Sequence, residues 1–253
     1  TAGMVGADLA NLANEAALLA ARRNLQQVTM QCFEDALDRI MIGAQRPLVL
    51  SPEERKITAY HESGHAIVAM MTPGGDAVHK VTIVPRGQTL GVTQFMPTED
   101  RHNYSKNYLL ARIAYGLGGR VAEQVALGEV TTGAENDFQN VTGIAREMVT
   151  RWGMSNSVGP VFYGADREVF LGREMSLGQQ REYSEQTASM IDQEVKDIIQ
   201  ERYQFVEGIL SNNRPFLDKM AETLLERETI DANDIAAMMR ELHLEKPVAT
   251  ASR

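Results

Sequence analysis

The chain has 253 residues, a formal net charge of −9 and a single cysteine, Cys32. This length allows a sizeable hydrophobic core, and 43% hydrophobic with 23% charged residues is ordinary for a globular protein. The acidic balance disfavours broad nucleic-acid binding, which usually needs a basic face, so we expect no nucleic-acid partner. One cysteine cannot form an internal disulfide and is typical of a reducing compartment.

The first 46 residues predict two short helices. Residues 7–23 carry leucine and alanine at helical spacing, and Thr29 is a candidate cap for a second helix that ends at Gly43. Two such helices form only a small core of their own. Residues 47–50 are then predicted to be an extended linker.

The third predicted helix carries the main motif. A capping-box pattern at residues 51–54 predicts its start, and residues 72–75, which read T-P-G-G, predict its end. Within it, residues 61–65 read H-E-S-G-H, which places His61 and His65 one turn apart on one face. Two imidazoles in this arrangement can bind one zinc ion, and Glu62 beside them can act as a general base towards water.

The next segment changes period. Residues 79–84 and 90–95 alternate in polarity around a turn that contains Pro85 and Gly87, which predicts a β-hairpin. Such a hairpin can bind a peptide as an added strand or can be plain scaffold, and the sequence favours neither interpretation.

Helices dominate the rest of the chain. Ser105 is the predicted cap of a helix that ends before Gly128. Its glycines at 116, 118 and 119 cost about 1 kcal/mol each relative to alanine, which predicts close backbone contact with a neighbouring helix. Residues 132–135 match a capping box for a helix through Arg151 that stops at Gly153. Further helices are expected at 184–210, at 216–226 and after Asp231, with an irregular loop at 159–174.

A zinc site on His61 and His65 needs a third ligand. The extended motif H-E-x-x-H-x-x-G-x-x-H fails, because Val68 and Met71 stand where it requires Gly and His. The third ligand must therefore come from further along the chain. Spacing leaves two equal candidates and two weaker ones: Glu123 and Asp137, then His102 and Glu135.

Several segments in the same order resemble the FtsH family of membrane-anchored, ATP-dependent zinc metalloproteases. These segments are residues 58–66, 79–87, 118–123 and 132–137. In addition, residues 6–17 resemble the helical lid subdomain of that family's AAA ATPase module. The resemblance extends from the first residues to about Met239.

The resemblance implies a mainly α (α+β) fold, in which a helical zinc metalloprotease domain with a small β-hairpin or sheet follows an AAA lid fragment. The implied boundaries are 1–46 for the lid remnant, 47–245 for the protease domain and 246–253 for a disordered tail. It also implies that Asp137 is the third zinc ligand, that Glu123 is an outer carboxylate supporting the site, and that Gly43 is an interdomain hinge.

For the full-length protein, the resemblance implies a homohexamer that uses ATP and Mg²⁺ to feed unfolded or membrane-extracted polypeptides to the protease. We expect it at the cytoplasmic face of a bacterial inner membrane, or at an organellar inner membrane. These 253 residues contain no G-x-x-x-x-G-K-[ST] loop and no apolar run of membrane-spanning length. Because the chain begins at Thr1, we expect a soluble piece of a longer protein whose membrane attachment lies in the missing N-terminal part.

Two other interpretations remain open from the sequence. One is a non-catalytic, ring-forming assembly module with structural zinc or none. The other is a different H-E-x-x-H zinc hydrolase, such as a deformylase-type amidase, which the lid-like segment disfavours. Glu62 separates catalysis from assembly, because a structural zinc site has no need of a base beside the metal.

Overall fold

The computed structural model describes residues 4–87, 89–96, 103–164, 169–170, 173–174 and 183–244. Helices predominate in these parts, with a small antiparallel sheet, so the predicted fold class is confirmed. The helices are α1 (Gly6–Arg22), α2 (Met30–Met41), α3 (Pro52–Met71), α4 (Lys106–Leu127), α5 (Glu135–Thr150), α6 (Glu185–Asn212), α7 (Arg214–Arg227) and α8 (Ala232–Glu241). The strands are β1 (Ala77–Thr82), β2 (Val92–Met96), β3 (Val169–Phe170), β4 (Arg173–Glu174) and β5 (Thr229–Asp231).

Most predicted helix ends are confirmed by their capping bonds. The side chains of Ser51, Ser105 and Ser184 each accept a hydrogen bond from a backbone N–H in the first turn of α3, α4 and α6. Asp231 does the same for α8. Gly128 ends α4 with φ of 72°, a left-handed conformation that suits glycine. These boundaries follow from local chemistry, which is why the sequence predicts them.

The capping box predicted at residues 132–135 is wrong. Residues 132–134 form a single 3₁₀ turn, and α5 begins only at Glu135. Thr131 is the capping residue, because its hydroxyl accepts from the backbone N–H of Gly133 at 3.2 Å. Its own N–H donates to Glu123 Oε2 at 2.8 Å, so a tertiary contact places this turn.

The predicted hairpin forms and gains an unpredicted third strand. Strands β1 and β2 pair antiparallel, with Val81 opposite Thr93 and an irregularity between Val78 and Lys80. Strand β5, from the far end of the chain, pairs with the other side of β1. In the described sheet the order is β2-β1-β5, so β2 lies at an edge.

Helices α3 and α4 cross at two glycines. A Cβ on Gly64 would lie 2.3 Å from the Gly118 carbonyl oxygen, and a Cβ on Gly118 would lie 2.7 Å from the Gly64 carbonyl oxygen. A Cβ on Gly116 would lie 2.6 Å from Val141 of α5. The close helix contact predicted from these glycines is therefore confirmed, and it brings α3 and α5 against different faces of the same turn of α4.

Two separate hydrophobic clusters form the interior. The large one includes side chains of α3 to α8 and the sheet, whereas the small one contains only residues of α1 and α2. Part of the predicted 159–174 loop contains the short β3–β4 pair, and the tail predicted at 246–253 lies outside the described residues. Among the helices described, none is both long and apolar enough to cross a membrane.

Candidate metal centre

Helix α3 places the two histidines of the motif edge to face. The Nε2 atoms of His61 and His65 lie 3.0 Å apart, with an angle of 79° between the rings. Both side chains are largely buried, at 12% and 10% exposed. The helical spacing therefore brings two ring nitrogens to one point, as the i, i+4 pattern predicts.

Each ring is held from behind through its Nδ1 atom. His61 Nδ1 lies 2.7 Å from Glu123 Oε1, and His65 Nδ1 lies 2.7 Å from the backbone carbonyl oxygen of Tyr115. Both partners are on α4, and a carboxylate or carbonyl oxygen can only accept. The Nδ1 atoms are therefore the donors; the Gly119 backbone N–H also faces His65 Nδ1, but at 3.3 Å it is much farther than the Tyr115 carbonyl oxygen. In the neutral rings both Nε2 atoms then carry lone pairs directed at each other.

Asp137 completes a group of three acceptors. Its Oδ2 lies 3.2 Å from His61 Nε2 and 3.5 Å from His65 Nε2. The three ligand atoms lie within 4.8 Å of one another. In the described part of the chain, these His and Asp side chains form the group that is close enough to share a metal ion. With both rings neutral, these are three acceptors without a donor and need a cation between them, and two imidazoles with a carboxylate suit zinc.

The pKa shifts of His61 and Asp137 also indicate a site for a cation. Burial by itself lowers the pKa of His61, but the hydrogen bonds that the ring donates to Asp137 and Glu123 outweigh it and raise the pKa to about 10. Burial raises the pKa of Asp137, and the hydrogen bonds with His61 and His65 more than reverse this, leaving it well below its usual range. The site therefore favours positive charge, supplied by a proton when no metal is bound.

Glu62 lies beside this group and is fixed by strand β2. Its side chain is buried, and its Oε2 accepts a hydrogen bond from the Thr93 hydroxyl at 2.7 Å. The same hydroxyl lies 3.0 Å from the Glu62 backbone carbonyl oxygen. A Cβ on Gly91 would lie 2.8 Å from Glu62 Cγ and from Thr58 Cγ2, and 2.9 Å from Oε1, so only glycine allows this close approach to Glu62.

Another glycine makes room for His61. A Cβ on Gly119 would lie 2.5 Å from the Cε1 and Nε2 atoms of the His61 ring. Because this contact is on the α4 face that also carries Glu123, the same helix both holds the ring and leaves space for it. The glycines of α4 thus have two roles: they allow close packing against α3 and they leave room for the His61 ring.

The structure separates the candidates that spacing left open. It brings Asp137 to the two Nε2 atoms and places Glu123 behind His61, buried at 1% exposure. Glu135 is exposed at the start of α5 and outside the group, and His102 lies outside the described residues. The hinge candidate Gly43 has φ of +104° and packs against Gly87, away from this site.

Sequence reasoning missed three groups that shape the site. The Tyr115 carbonyl is a backbone atom, so no sequence pattern marks it. Thr131 and Thr93 have no motif of their own and become relevant only when tertiary contacts bring them to Glu123 and Glu62.

Comparison with known proteins agrees with this geometry. The sequence profile of peptidase family M41 matches residues 48–238, and that of the AAA+ lid domain matches residues 1–35. The chain is similar to proteins named "ATP-dependent zinc metalloprotease FtsH" from several bacteria. It is 48% identical to that of Syntrophotalea carbinolica over 97% of this chain and 38% of the relative. For Thermobaculum terrenum the identity is 53%, over 93% of this chain and 36% of the relative, and for Thermus thermophilus it is 50%, over 98% and 39%.

The chain therefore spans less than two fifths of the length of these relatives. Its resemblance to the FtsH family is confirmed. The M41 match covers most of the chain and includes every element that builds the three-ligand group. The chain belongs to peptidase family M41.

Proposed function

We propose that residues 47–245 are a zinc endopeptidase domain in which His61, His65 and Asp137 bind the metal. The convergence of three acceptor atoms, with both Nδ1 atoms committed to other partners, carries this proposal. Glu123 is an outer carboxylate that orients His61 and keeps its Nε2 directed at the ion. Mutation of such a hydrogen-bond partner typically weakens metal binding about 10–100-fold.

Glu62 is the general base of the proposed reaction. A bound zinc ion would lower the pKa of water to about 7 and polarise the carbonyl of the peptide bond. Glu62 Oε2 is occupied by the Thr93 hydroxyl, so Oε1, which lies beside Gly91, would take the proton from the attacking water. The same carboxyl then passes the proton to the leaving amine.

The peptide is proposed to bind as an extended strand at the free edge of β2. This strand lies at the edge of the described sheet, and Thr93 within it and Gly91 just before it lie against Glu62. Backbone hydrogen bonds to an edge strand are independent of side-chain identity, so cleavage should have loose sequence preference.

For the whole protein, we propose an ATP-dependent, membrane-anchored protease that acts as a homohexamer. Support comes from the AAA+ lid match and from relatives named as ATP-dependent zinc metalloproteases. Unfolded or membrane-extracted polypeptides are the proposed substrates, with ATP and Mg²⁺ used outside these residues. The proposed location is the cytoplasmic face of a bacterial inner membrane.

We also propose the boundary at residues 46 and 47 and the hinge at Gly43. A protein comprising residues 47–245 should bind zinc as tightly as the full chain, as measured by competition with a chromogenic chelator. For the hinge, Gly43→Ala in the full-length enzyme disfavours the positive φ. It should reduce protein degradation per ATP hydrolysed, and unchanged coupling would exclude the hinge.

The decisive test of the metal site is zinc per chain in purified variants. Asp137→Ala should lose zinc, whereas Glu62→Gln should keep it and lose peptidase activity. Glu123→Ala should retain zinc at stoichiometric loading with weaker affinity. Glu135→Ala is the matched control, since it removes an exposed carboxylate from the same helix turn.

Other outcomes would contradict the proposal in specific ways. Zinc lost from Glu123→Ala but kept by Asp137→Ala would make the ligand assignment wrong. A wild-type chain that holds no zinc after reloading would favour the non-catalytic assembly module. Peptidase activity retained by Glu62→Gln would exclude the base.

A further inference from the structure

The carboxyl group of Glu62 makes contacts that metal binding by His61, His65 and Asp137 does not require. Glu62 extends from α3 towards β2, and two residues of the segment 91–93 touch its carboxyl group. Thr93 Oγ1 lies 2.7 Å from Oε2, whereas the absence of a side chain at Gly91 leaves room beside Oε1. The two carboxylate oxygens therefore have different surroundings.

We propose that Thr93 is a positioning residue for the base, and that Gly91 and Thr93 together select Oε1 as the oxygen that handles the proton. This inference deepens the proposed function and rests on Glu62 acting as the base. Thr93 would act through Glu62 without touching the metal, which distinguishes it from Glu123 behind His61.

The chemistry of the hydroxyl supports this role. Thr93 has one proton to give, and the charged carboxylate at 2.7 Å is a stronger acceptor than the Glu62 carbonyl at 3.0 Å. A bond to Oε2 restricts rotation of the carboxyl group, whose terminal torsion is otherwise broad. Oε1 is then held in one orientation, so less conformational entropy is lost when the geometry for proton transfer forms.

The position of Thr93 links this contact to the proposed substrate edge. Thr93 pairs with Val81 of β1, so the strand that would bind the peptide also aligns the base. A shift of β2 on peptide binding would thus move Thr93 and Glu62 together. Thr93 should consequently influence turnover much more than metal content.

The test uses the zinc-loaded chain and a peptide hydroxamate as the probe. A hydroxamate offers two oxygens to a metal ion and an O–H or N–H group to a neighbouring carboxylate, so its affinity reports the orientation of Glu62 without any turnover. The variants are Thr93→Val, Thr93→Ser, Glu62→Gln and the double variant Glu62→Gln/Thr93→Val. Thr229→Val is the matched control, because Thr229 lies in the same sheet and bonds to Thr82.

We expect Thr93→Val to weaken hydroxamate binding about 10-fold, with zinc per chain unchanged. Thr93→Ser should restore the affinity to within about threefold, because it retains the hydroxyl. The double variant should bind no more weakly than Glu62→Gln alone, since a residue that acts through Glu62 has no effect once the carboxylate is gone. Thr229→Val should bind like wild type.

Turnover of a fluorogenic peptide gives an independent measure. Thr93→Val should lower kcat about 10–100-fold and leave KM within about threefold, because the loss concerns the transition state. Gly91→Ala is the second variant: its methyl group would press on Thr58 and on the Glu62 side chain, including Oε1, and should lower kcat to a similar degree even if Thr93→Val perturbs the strand.

The outcomes separate this inference from the proposal on which it rests. Additive losses in the double variant, or wild-type affinity in Thr93→Val, would overturn the role of Thr93 while leaving Glu62 in place. Equal hydroxamate affinity in Glu62→Gln and wild type would overturn the base itself, and the inference would fall with it. A valine variant that binds weakly beside a serine variant that binds equally weakly would indicate a strand defect and also reject the inference.

Discussion

The α1–α2 pair and the body formed by α3 to α8 with the sheet differ in how they are held together. The core of the pair consists of small side chains, since its buried residues are Leu12, Ala16, Ala20, Cys32 and Ala36. The core of the body includes large, fully buried side chains such as Ile67, Leu117 and Phe216. Buried apolar area is the main favourable term in folding, so the body can offset the cost of burying a polar site that the pair could not.

Polar contacts connect the two regions. Asp38 of α2 is buried at 4% exposure, and its Oδ2 lies 2.9 Å from Lys80 Nζ of β1 and 3.5 Å from an Arg86 guanidinium nitrogen. The following segment bonds to the hairpin turn, as in the pair from Arg46 N–H to the Pro85 carbonyl at 2.9 Å. The pair is thus attached to the same hairpin whose other strand contacts Glu62.

The sequence provides a separate probe for each region. Trp152, the single tryptophan, follows α5 in the body, and Cys32, the single cysteine, is fully buried in the α1–α2 core. Tryptophan fluorescence therefore follows the body, and the rate of thiol labelling follows opening of the pair. The following predictions use both probes to test whether the regions are as independent as their cores indicate.

The largest effect is expected at the α3–α4 crossing. Gly64→Ala would place a methyl group 2.3 Å from the Gly118 carbonyl oxygen, where only backbone movement can relieve it. We expect a loss of about 3 kcal/mol in the free energy of unfolding of the body, measured by denaturant titration with Trp152 fluorescence. Zinc affinity should fall as well, because the crossing positions His65.

Gly143→Ala is the matched control for this substitution. Gly143 is also within a helix of the body, but nothing lies within 4 Å of its added Cβ. Helix propensity alone should then stabilise the protein by roughly 0.5–1 kcal/mol. Equal destabilisation by the two substitutions would contradict the importance of the crossing.

A smaller effect for each pH unit is expected from titration of the metal-free body. The folded-state pKa of His61 is raised to about 10 from an ordinary value of 6.5. Its stabilising contribution is therefore complete below pH 6.5 and is lost as pH rises through 10. We expect the Tm of the metal-free body to fall between pH 7 and 10. The free energy of unfolding should drop by at most about 1.4 kcal/mol per pH unit.

Zinc should remove this pH dependence, because the ion takes the place of the proton. Zinc binding between pH 7 and 9 should accordingly release about one proton per ion, measurable by calorimetry in buffers of different ionisation enthalpy. Asp137→Asn is the control, since it removes one of the carboxylates that raise the pKa of His61. A metal-free Tm that stays constant from pH 7 to 10 would count against the coupled site.

The smallest effect is expected at the junction of the two regions. Asp38→Asn leaves Lys80 and Arg86, both mostly buried, without their carboxylate. We expect the labelling rate of Cys32 to rise about tenfold, with the Trp152 transition unchanged. Asp192→Asn removes an exposed ion pair with Arg146 of α5 and should change labelling less than about twofold.

A joint shift of both probes in Asp38→Asn would mean that the two regions unfold as one unit. In that case the two regions would not unfold independently, despite their separate cores.

Local patterns predicted much of this protein. The serine caps at Ser51, Ser105 and Ser184 and the left-handed end at Gly128 depend on atoms within four residues, so their chemistry is visible in the sequence. The same holds for the H-E-x-x-H face, because helical geometry alone stacks His61 on His65. The resemblance to a known family added Asp137, which spacing alone had left level with Glu123.

Tertiary structure determined the features that depend on distant segments. Strand β5 joins β1 from about 150 residues away, and the 3₁₀ turn before α5 is held by Glu123 rather than by its own capping pattern. Which carboxylate reaches the two Nε2 atoms depends on how α5 packs on α4, and the contact of Thr93 with Glu62 depends on how β2 packs on α3. Periodicity and capping act over one or two turns, whereas these contacts are set by how helices and strands pack around a common core.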